Sequence, residues 1–377
     1  MSIQWRVNER YKMRIIIFLI IGLVFYACQN RPKESILEEP RGVVIDSIFN
    51  DYFMPRGEGF TGGDGTYSVV LPDGQVIWIF GDTFLGNVTE DWKRVKTDPQ
   101  YIRNCFVTIS KDGDLNTLHQ GEPFEFKSMM IPPEVNNSNS TLSEHEVWYW
   151  PGDAMVENNQ LKVFVSWFFQ EEEDMWGFKF LGTELIEFSL PDLEIKNIVR
   201  FDKLDEIHFG HSVCRTTDYT YIYGLKEHVP YLARVTSGDV NKEWEFHGEF
   251  GWVKDARLAI PILTEFRGSE QFSVFQWHDQ YIMIMQEGDL GKGIYSFTAK
   301  LPEGPWGNKQ LLYETPIPLD NPNQWTYNAL AHPQYMEDNM LLISYNTNSM
   351  EMHDHYEDAL IYRPRFIRVP MEMIIIN

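Results

Sequence analysis

The chain has 377 residues and carries 55 acidic against 32 basic side chains, a formal net charge of −23. A surface of that sign repels nucleic acid and anionic lipid headgroups, and no basic block offsets it, so neither belongs among its partners. Three cysteines without metal-type spacing make neither a disulfide scaffold nor a zinc module, and no cofactor motif stands out.

The N-terminus reads as a targeting segment rather than part of the fold. Arg6, Arg10, Lys12 and Arg14 precede an apolar run from Ile15 to Ala27, shorter than the about 20 residues that span a bilayer. The run ends Phe25-Tyr26-Ala27-Cys28-Gln29. This resembles a bacterial lipoprotein signal, although Phe25 and Tyr26 depart from the usual aliphatic and small residues. The resemblance implies that residues 1–27 are removed and that Cys28 is lipidated. Gln29 is not the aspartate that retains many lipoproteins at the inner membrane. An outer-membrane lipoprotein is therefore expected, periplasmic or cell-surface facing, with the lipid as its one membrane contact. Residues 28–41 read as a polar tether and residues 42–377 as a single domain.

The first strong structural signal is a hairpin. Gly62-Gly63-Asp64-Gly65-Thr66-Tyr67-Ser68-Val69-Val70-Leu71 runs into Pro72-Asp73-Gly74, then Gln75 to Phe80 and Gly81-Asp82-Thr83-Phe84. Pro presets φ and Gly accepts φ > 0, so Pro-Asp-Gly between apolar runs predicts a turn. With the turn centred on Asp73, paired residue numbers sum to 146, as 64 and 82 do. Asp64 and Asp82 then become cross-strand neighbours, with Cβ atoms roughly 4.5–5.5 Å apart. Like charges so placed destabilise a hairpin. Shared-proton chemistry, a bound cation or sugar hydroxyls would each account for them.

The same unit, a polar entry, a strand, a turn and a strongly apolar strand, returns along the chain. Its later copies enter at Trp150-Pro151-Gly152-Asp153, His208-Phe209-Gly210-His211, Ser269-Glu270-Gln271 and Tyr327-Asn328-Ala329. Phe80, Val165, Tyr223, Ile284 and Ile343 take equivalent places, at steps of 85, 58, 61 and 59 residues. Long helical periodicity is absent, and short β-branched and aromatic runs dominate from residue 42 onward, which predicts an all-β chain. Units of about 60 residues with four strands each predict a five-bladed β-propeller. A β-sandwich is the alternative. Cys105 and Cys214 lie in apolar strands and are expected to be buried free thiols.

In a propeller the innermost strands surround one channel, so equivalent strand ends converge on one mouth. Asp64, Asp153, His211, Glu270 and Asn328 are expected to form a ring there, with Asp82, Trp167, Gln286 and Asn346 one strand outward. Carboxylates, amides, His and Trp around a mouth suit a carbohydrate. Most of the aromatic content (15 %, with 12 Trp and 18 Tyr) is nevertheless accounted for by strands and core.

At these residues the chain resembles a known family. The opening hairpin, Ile102-Arg103-Asn104, Trp148-Tyr149-Trp150-Pro151-Gly152-Asp153, Tyr327-Asn328 with Ala331-His332-Pro333, Leu341-Leu342-Ile343-Ser344-Tyr345-Asn346 and Tyr362-Arg363-Pro364-Arg365-Phe366 are similar to five-bladed propellers long catalogued as domains of unknown function. Part of that group is known as endo-D-arabinanase-type glycoside hydrolases. The resemblance covers nearly all of residues 58–370, and the first hairpin is its specific part. It implies a propeller fold, and it makes the aspartates at positions 64 and 82 the catalytic candidates.

Most glycosidases use two carboxyl groups, a proton donor and a base or nucleophile. Asp64 and Asp82 are the expected pair, and the competing structural role for each is to cap backbone N–H groups of its glycine-rich turn. An alternative set draws one acid from each of several blades: Asp64 as base, Asp153 as modulator and Glu270 as proton donor. Trp150 and Trp167 are candidates for stacking on a sugar ring, and His211, Asn328 and His332 for hydrogen-bonding its hydroxyls. Each is equally compatible with packing. His208-x-x-His211 alone does not make a zinc site, so no metal or other cofactor is expected. The expected partner is a polysaccharide or oligosaccharide, cleaved by a hydrolase or held by a non-catalytic glycan-binding lipoprotein.

Overall fold

The Pro72-Asp73-Gly74 turn closes as its sequence implies. In the computed structural model, which describes residues 42–377 apart from 57–58, 96–99, 123–124, 175, 317–320 and 376–377, Gly74 takes φ +87°. Its N–H donates to the Leu71 carbonyl at 2.9 Å. Tyr67–Val70 pairs with Val76–Phe80 in the register Tyr67↔Ile79, Ser68↔Trp78, Val69↔Ile77 and Val70↔Val76. The same register resumes beyond the aspartates, where Gly63 faces Thr83 and Gly62 faces Phe84.

Among the described residues this hairpin opens the first of five antiparallel sheets with four or five strands. The second starts at Val147–Glu157, the third at His208–Arg215, the fourth at Gly268–Trp277 and the fifth at Gln324–Glu337. A three-stranded sheet of Phe60–Gly63, Thr83–Leu85 and Gln100–Ile102 extends the first hairpin. Each sheet proceeds outward from its first strand. The second strand of each is the strongly apolar one, with Phe80, Val165, Tyr223, Ile284 and Ile343 at most 1 % exposed. A strand covered on both faces needs side chains that tolerate burial on both, which produces continuous apolar runs in place of alternation.

The five first strands touch their neighbours in sequence, and the fifth touches the first, so the sheets close a cycle. Val44–Ile45 joins the fifth sheet as its outermost strand, pairing with Arg368 and Ile367, and so ties the start of the fold to its end. Five buried apolar clusters fill the five junctions between consecutive sheets. The junction between the fifth and first sheets is rich in aromatic side chains. There Phe49 and Phe53, on and just past the helix Ser47–Tyr52, pack against Trp78, Phe80 and Phe366. Asp46 caps that helix by accepting the Phe49 N–H at 2.9 Å.

Cys105 and Cys214 are buried free thiols, as their apolar strands imply. The expected leader, the Cys28 lipidation site and the tether to residue 41 lie outside the described residues. Among the described residues no helix is long and apolar enough to cross a membrane.

Candidate functional site

The polar entry residues owe their positions to irregularities in the first strands. Register shifts fall between Val163 and Val165 opposite Gly152-Asp153, between Phe209 and Ser212 around His211, between Gly268 and Phe272 around Glu270, and between Tyr327 and Leu330 around Asn328. An extra residue in one strand re-aims its side chain out of the pleat. Four sheets thereby lift a polar group out of the regular ladder. In the first sheet Asp64-Gly65-Thr66 occupies the corresponding gap, between Phe60–Gly63 and Tyr67–Val70.

Asp64 and Asp82 stand opposite one another across this gap. The Asp64 N–H donates to the Asp82 carbonyl at 3.3 Å, and the Gly81 N–H donates to the Asp64 carbonyl at 2.7 Å. Their side chains meet different surroundings. Burial, then the charge of Asp82, pushes the Asp64 carboxyl up to about 7, partly offset by the Tyr327 and Tyr362 hydroxyls. Tyr327 donates to Asp64 Oδ2 at 2.5 Å and is itself held by Asn348 Nδ2 at 3.1 Å. Asp82 Oδ1 accepts the Trp150 indole N–H at 3.0 Å and lies 3.4 Å from Arg103 Nη1. Arg103 is fixed by stacking over the Trp148 ring at 4.1 Å and by donating to the Glu144 carbonyl at 3.1 Å. Both partners of Asp82 suit a negatively charged oxygen, whereas Asp64 sits where a neutral carboxyl is favoured.

Of the residues singled out by the sequence, the structure thus joins Asp64, Asp82 and Trp150. Arg103, Tyr327 and Tyr362 complete the arrangement without having been picked as site residues. Each lies in a stretch that carries the family resemblance, which is the signal that was available.

The other candidates are spread around the cycle. Asp153 turns along its own bulge, accepting from Ala154 N at 2.8 Å and Val213 N at 2.7 Å, and burial pushes its carboxyl up to about 7 against those bonds. Asn328, at φ +55°, uses its side-chain oxygen to accept the Gln271 N–H and so ties two first strands together. His332 is 1 % exposed and packs on Trp78; its Nδ1 meets Ser68 Oγ at 2.6 Å and its Nε2 meets Ser344 Oγ at 2.8 Å, leaving neither nitrogen for a ligand. Trp167 is half-buried beneath the Arg200 guanidinium at 3.9 Å. Gln286 and Asn346 are fully buried, on Thr326 and Thr66 respectively. His211 and Glu270 gather with His208 and not with Asp64. Burial, then the neighbouring His208, pushes His211 down to about 3.

Two links cross the axis between sheets that are not neighbours. Tyr67 donates its hydroxyl to the His211 carbonyl at 3.0 Å, and Gln271 reaches the Pro151 carbonyl at 3.5 Å. Gly65, at φ +67°, lies so close to Gln271 that a Cβ would come within 3.1 Å of its Nε2. Further along the first strands lies a cavity of about 220 Å³ walled by Ser68, Asp153, Ser212, Ser273 and His332.

A family described as "Domain of unknown function (DUF5005)" matches residues 46–371. No curated protein matches the chain. Among solved structures, a candidate hydrolase from Bacteroides ovatus ATCC 8483 is similar with TM-score 0.74 and 24% identity, over 87% of this chain and 90% of that one. The exo-β-1,3-galactanase 1,3Gal43A from Clostridium thermocellum follows with TM-score 0.48 and 9% identity, over 86% of this chain and 62% of that one. The GH43 protein BlXynB from Bacillus licheniformis has TM-score 0.46 and 12% identity, over 81% of this chain and 51% of that one.

Proposed function

The chain belongs to the DUF5005 family, and from that membership and the geometry around Asp64 we propose that it is a five-bladed β-propeller glycoside hydrolase. Its substrate is a polysaccharide, arabinan-like in the first instance, and its working pair is Asp64 and Asp82. A lipid on Cys28 tethers it to the outer membrane.

One observation carries this reading: two cross-strand carboxyl groups sit in opposed environments. Glycoside hydrolysis needs one carboxyl that holds its proton and one carboxylate that does not. Asp64, buried and pushed up to about 7 beside Asp82, is the proton donor. Asp82, between Arg103 and the Trp150 indole, is the carboxylate that acts as base or nucleophile. The Tyr327 hydroxyl holds Asp64 Oδ2, and the Tyr362 hydroxyl also bonds this carboxyl. As the glycosidic oxygen takes the Asp64 proton, positive charge develops on the sugar and Asp82 stabilises it. Arg103 and Trp150 keep the Asp82 oxygens oriented in both states.

An aromatic path leads from solvent to this pair. Tyr327 lies 4.2 Å from the Trp325 ring, and Trp325 lies 6.5 Å from Trp176, which is 57 % exposed. Sugar rings present apolar faces that stack on such side chains. Neither tryptophan was picked out by the sequence reading.

The test is product release from a panel of arabinans and other furanose- and pyranose-containing glycans, comparing wild type with Asp64→Asn. Cleavage that vanishes in the variant supports the proposal. Cleavage that survives assigns the chemistry to Asp153 or Glu270. Binding without cleavage of any glycan makes the protein a glycan-binding lipoprotein instead.

A further inference from the structure

The bulge that carries His211 leaves an unusual residue behind. His211 is 7 % exposed, yet neither of its ring nitrogens has a hydrogen-bond partner. Whichever tautomer it adopts, a buried ring N–H and a buried lone pair are both unanswered. Leaving such groups unmade is costly, and native structures rarely do so without an unseen partner. His332 is the contrast within the same fold, since it is also buried but both of its nitrogens meet serine hydroxyls.

The partners that His211 lacks in hydrogen bonds are present as donor atoms. One ligand atom from each of His208, His211 and Glu270 lies within 4.8 Å of the others. His208 and His211 share one strand of the third sheet, and Glu270 comes from the first strand of the fourth. Around a tetrahedral cation with bonds of about 2.0–2.2 Å, neighbouring ligand atoms stand roughly 3.3–3.6 Å apart. Closing the three donors onto an ion therefore takes side-chain movements of about an ångström. The Glu270 side chain is 58 % exposed and the His211 ring is not, so the donors run from solvent to interior and leave an entry path.

A further histidine supports the carboxylate. His228 Nδ1 lies 3.1 Å from the Gly268 carbonyl and 3.4 Å from Glu270 Oε1. That one nitrogen gives its N–H to the backbone carbonyl and so holds the His228 ring beside the carboxylate, the place from which outer partners support a metal ligand. The backbone at Gly268 leaves little freedom, because a Cβ there would meet Met285 Sδ at 2.1 Å. The turn that positions Glu270 is therefore packed tightly against the fourth sheet.

We propose that His208, His211 and Glu270 bind one divalent transition cation of the zinc type, with water or substrate oxygen in the remaining position. Two imidazoles and one carboxylate favour borderline cations such as Zn²⁺ or Mn²⁺ over Ca²⁺, which prefers six to eight oxygen ligands. The site shares no residue with the Asp64–Asp82 pair and stands whether or not that pair hydrolyses a glycan.

The experiment uses the purified full chain, stripped with chelator and then titrated with Zn²⁺ by calorimetry, with Co²⁺ absorption as a second reading. Expected are one equivalent of Zn²⁺ bound at micromolar Kd or tighter and a visible Co²⁺ band of low-symmetry coordination. His211→Ala and Glu270→Gln are expected to weaken binding at least tenfold, while Asp64→Asn leaves it unchanged. Zn²⁺ binding that is absent, or equal in wild type and His211→Ala, overturns the proposal. Should His211→Ala fail to fold, His208→Ala and Glu270→Gln decide, with circular dichroism verifying the fold. Tighter binding of Ca²⁺ than of Zn²⁺ overturns the assignment of the cation.

Discussion

The Asp64 N–H donates to the Asp82 carbonyl at 3.3 Å, so the two aspartates are locked into one antiparallel register by the backbone rather than by chance contact of side chains. The register fixes the two backbones opposite one another, and burial together with the charge of Asp82 raises the Asp64 carboxyl to about 7.

Replacing either carboxyl tests this directly. Asp64→Asn and Asp82→Asn are nearly isosteric, and each is expected to lower turnover by roughly 10²–10⁴-fold, the scale of a lost acid or base. Affinity for an oligosaccharide should change by much less. Rates of product release measured alongside calorimetric Kd separate the two effects. Loss of affinity with unchanged turnover would falsify the catalytic assignment.

The pH dependence carries a sign. Asp64 donates its proton only while it holds one, and its carboxyl is pushed up to about 7. The rate kcat/KM is therefore expected to decline as pH rises through about 7. The Tyr327 hydroxyl bonds the charged form of Asp64 and holds this value down, so Tyr327→Phe should move the alkaline limb to higher pH. A limb that moves to lower pH, or not at all, removes Asp64 as the group responsible.

Asp82 depends on an indole from the second sheet. Trp150→Phe keeps an aromatic ring against Phe168 and Phe178 but removes the 3.0 Å N–H bond. A hydrogen bond to a charged group contributes about 1.5–3 kcal/mol, so kcat/KM is expected to decrease by about one to two orders of magnitude. The thermal midpoint of unfolding, read by circular dichroism, should move only slightly.

Asp153 makes a prediction about stability instead of rate. Its carboxyl is raised in the folded state to about 7 from an ordinary 3.8. Its contribution is thus fully present below the unfolded value and is lost as pH rises through about 7. Asp153→Asn stays neutral throughout. The variant should gain stability over wild type between pH 4 and pH 8, by about 2–4 kcal/mol. Denaturant midpoints at the two pH values check it, and an equal difference at both would show that Asp153 does not titrate in this range.

The five repeated hairpins, their apolar second strands and the register of the first turn were legible in the sequence, because each depends on neighbours close along the chain. Pro72-Asp73-Gly74 alone sets the pairing that brings position 64 opposite position 82. Less legible was which polar residue serves which site. His332 resembled a sugar-binding candidate until two serines from different strands claimed its nitrogens. Asn328 resembled another until it proved to hold the neighbouring strand.

By itself, then, the sequence determined an all-β chain of repeated hairpins and the facing of Asp64 and Asp82, since turn chemistry and apolar runs act over a few residues. Only the tertiary structure decided what surrounds them. Tyr327 and Tyr362 reach the pair from more than 240 residues away in sequence, Trp150 reaches it from another sheet, and Glu270 meets His208 and His211 across a junction between sheets. Closing the cycle fixes those meetings, because buried polar groups must find their partners wherever the packed sheets bring them together.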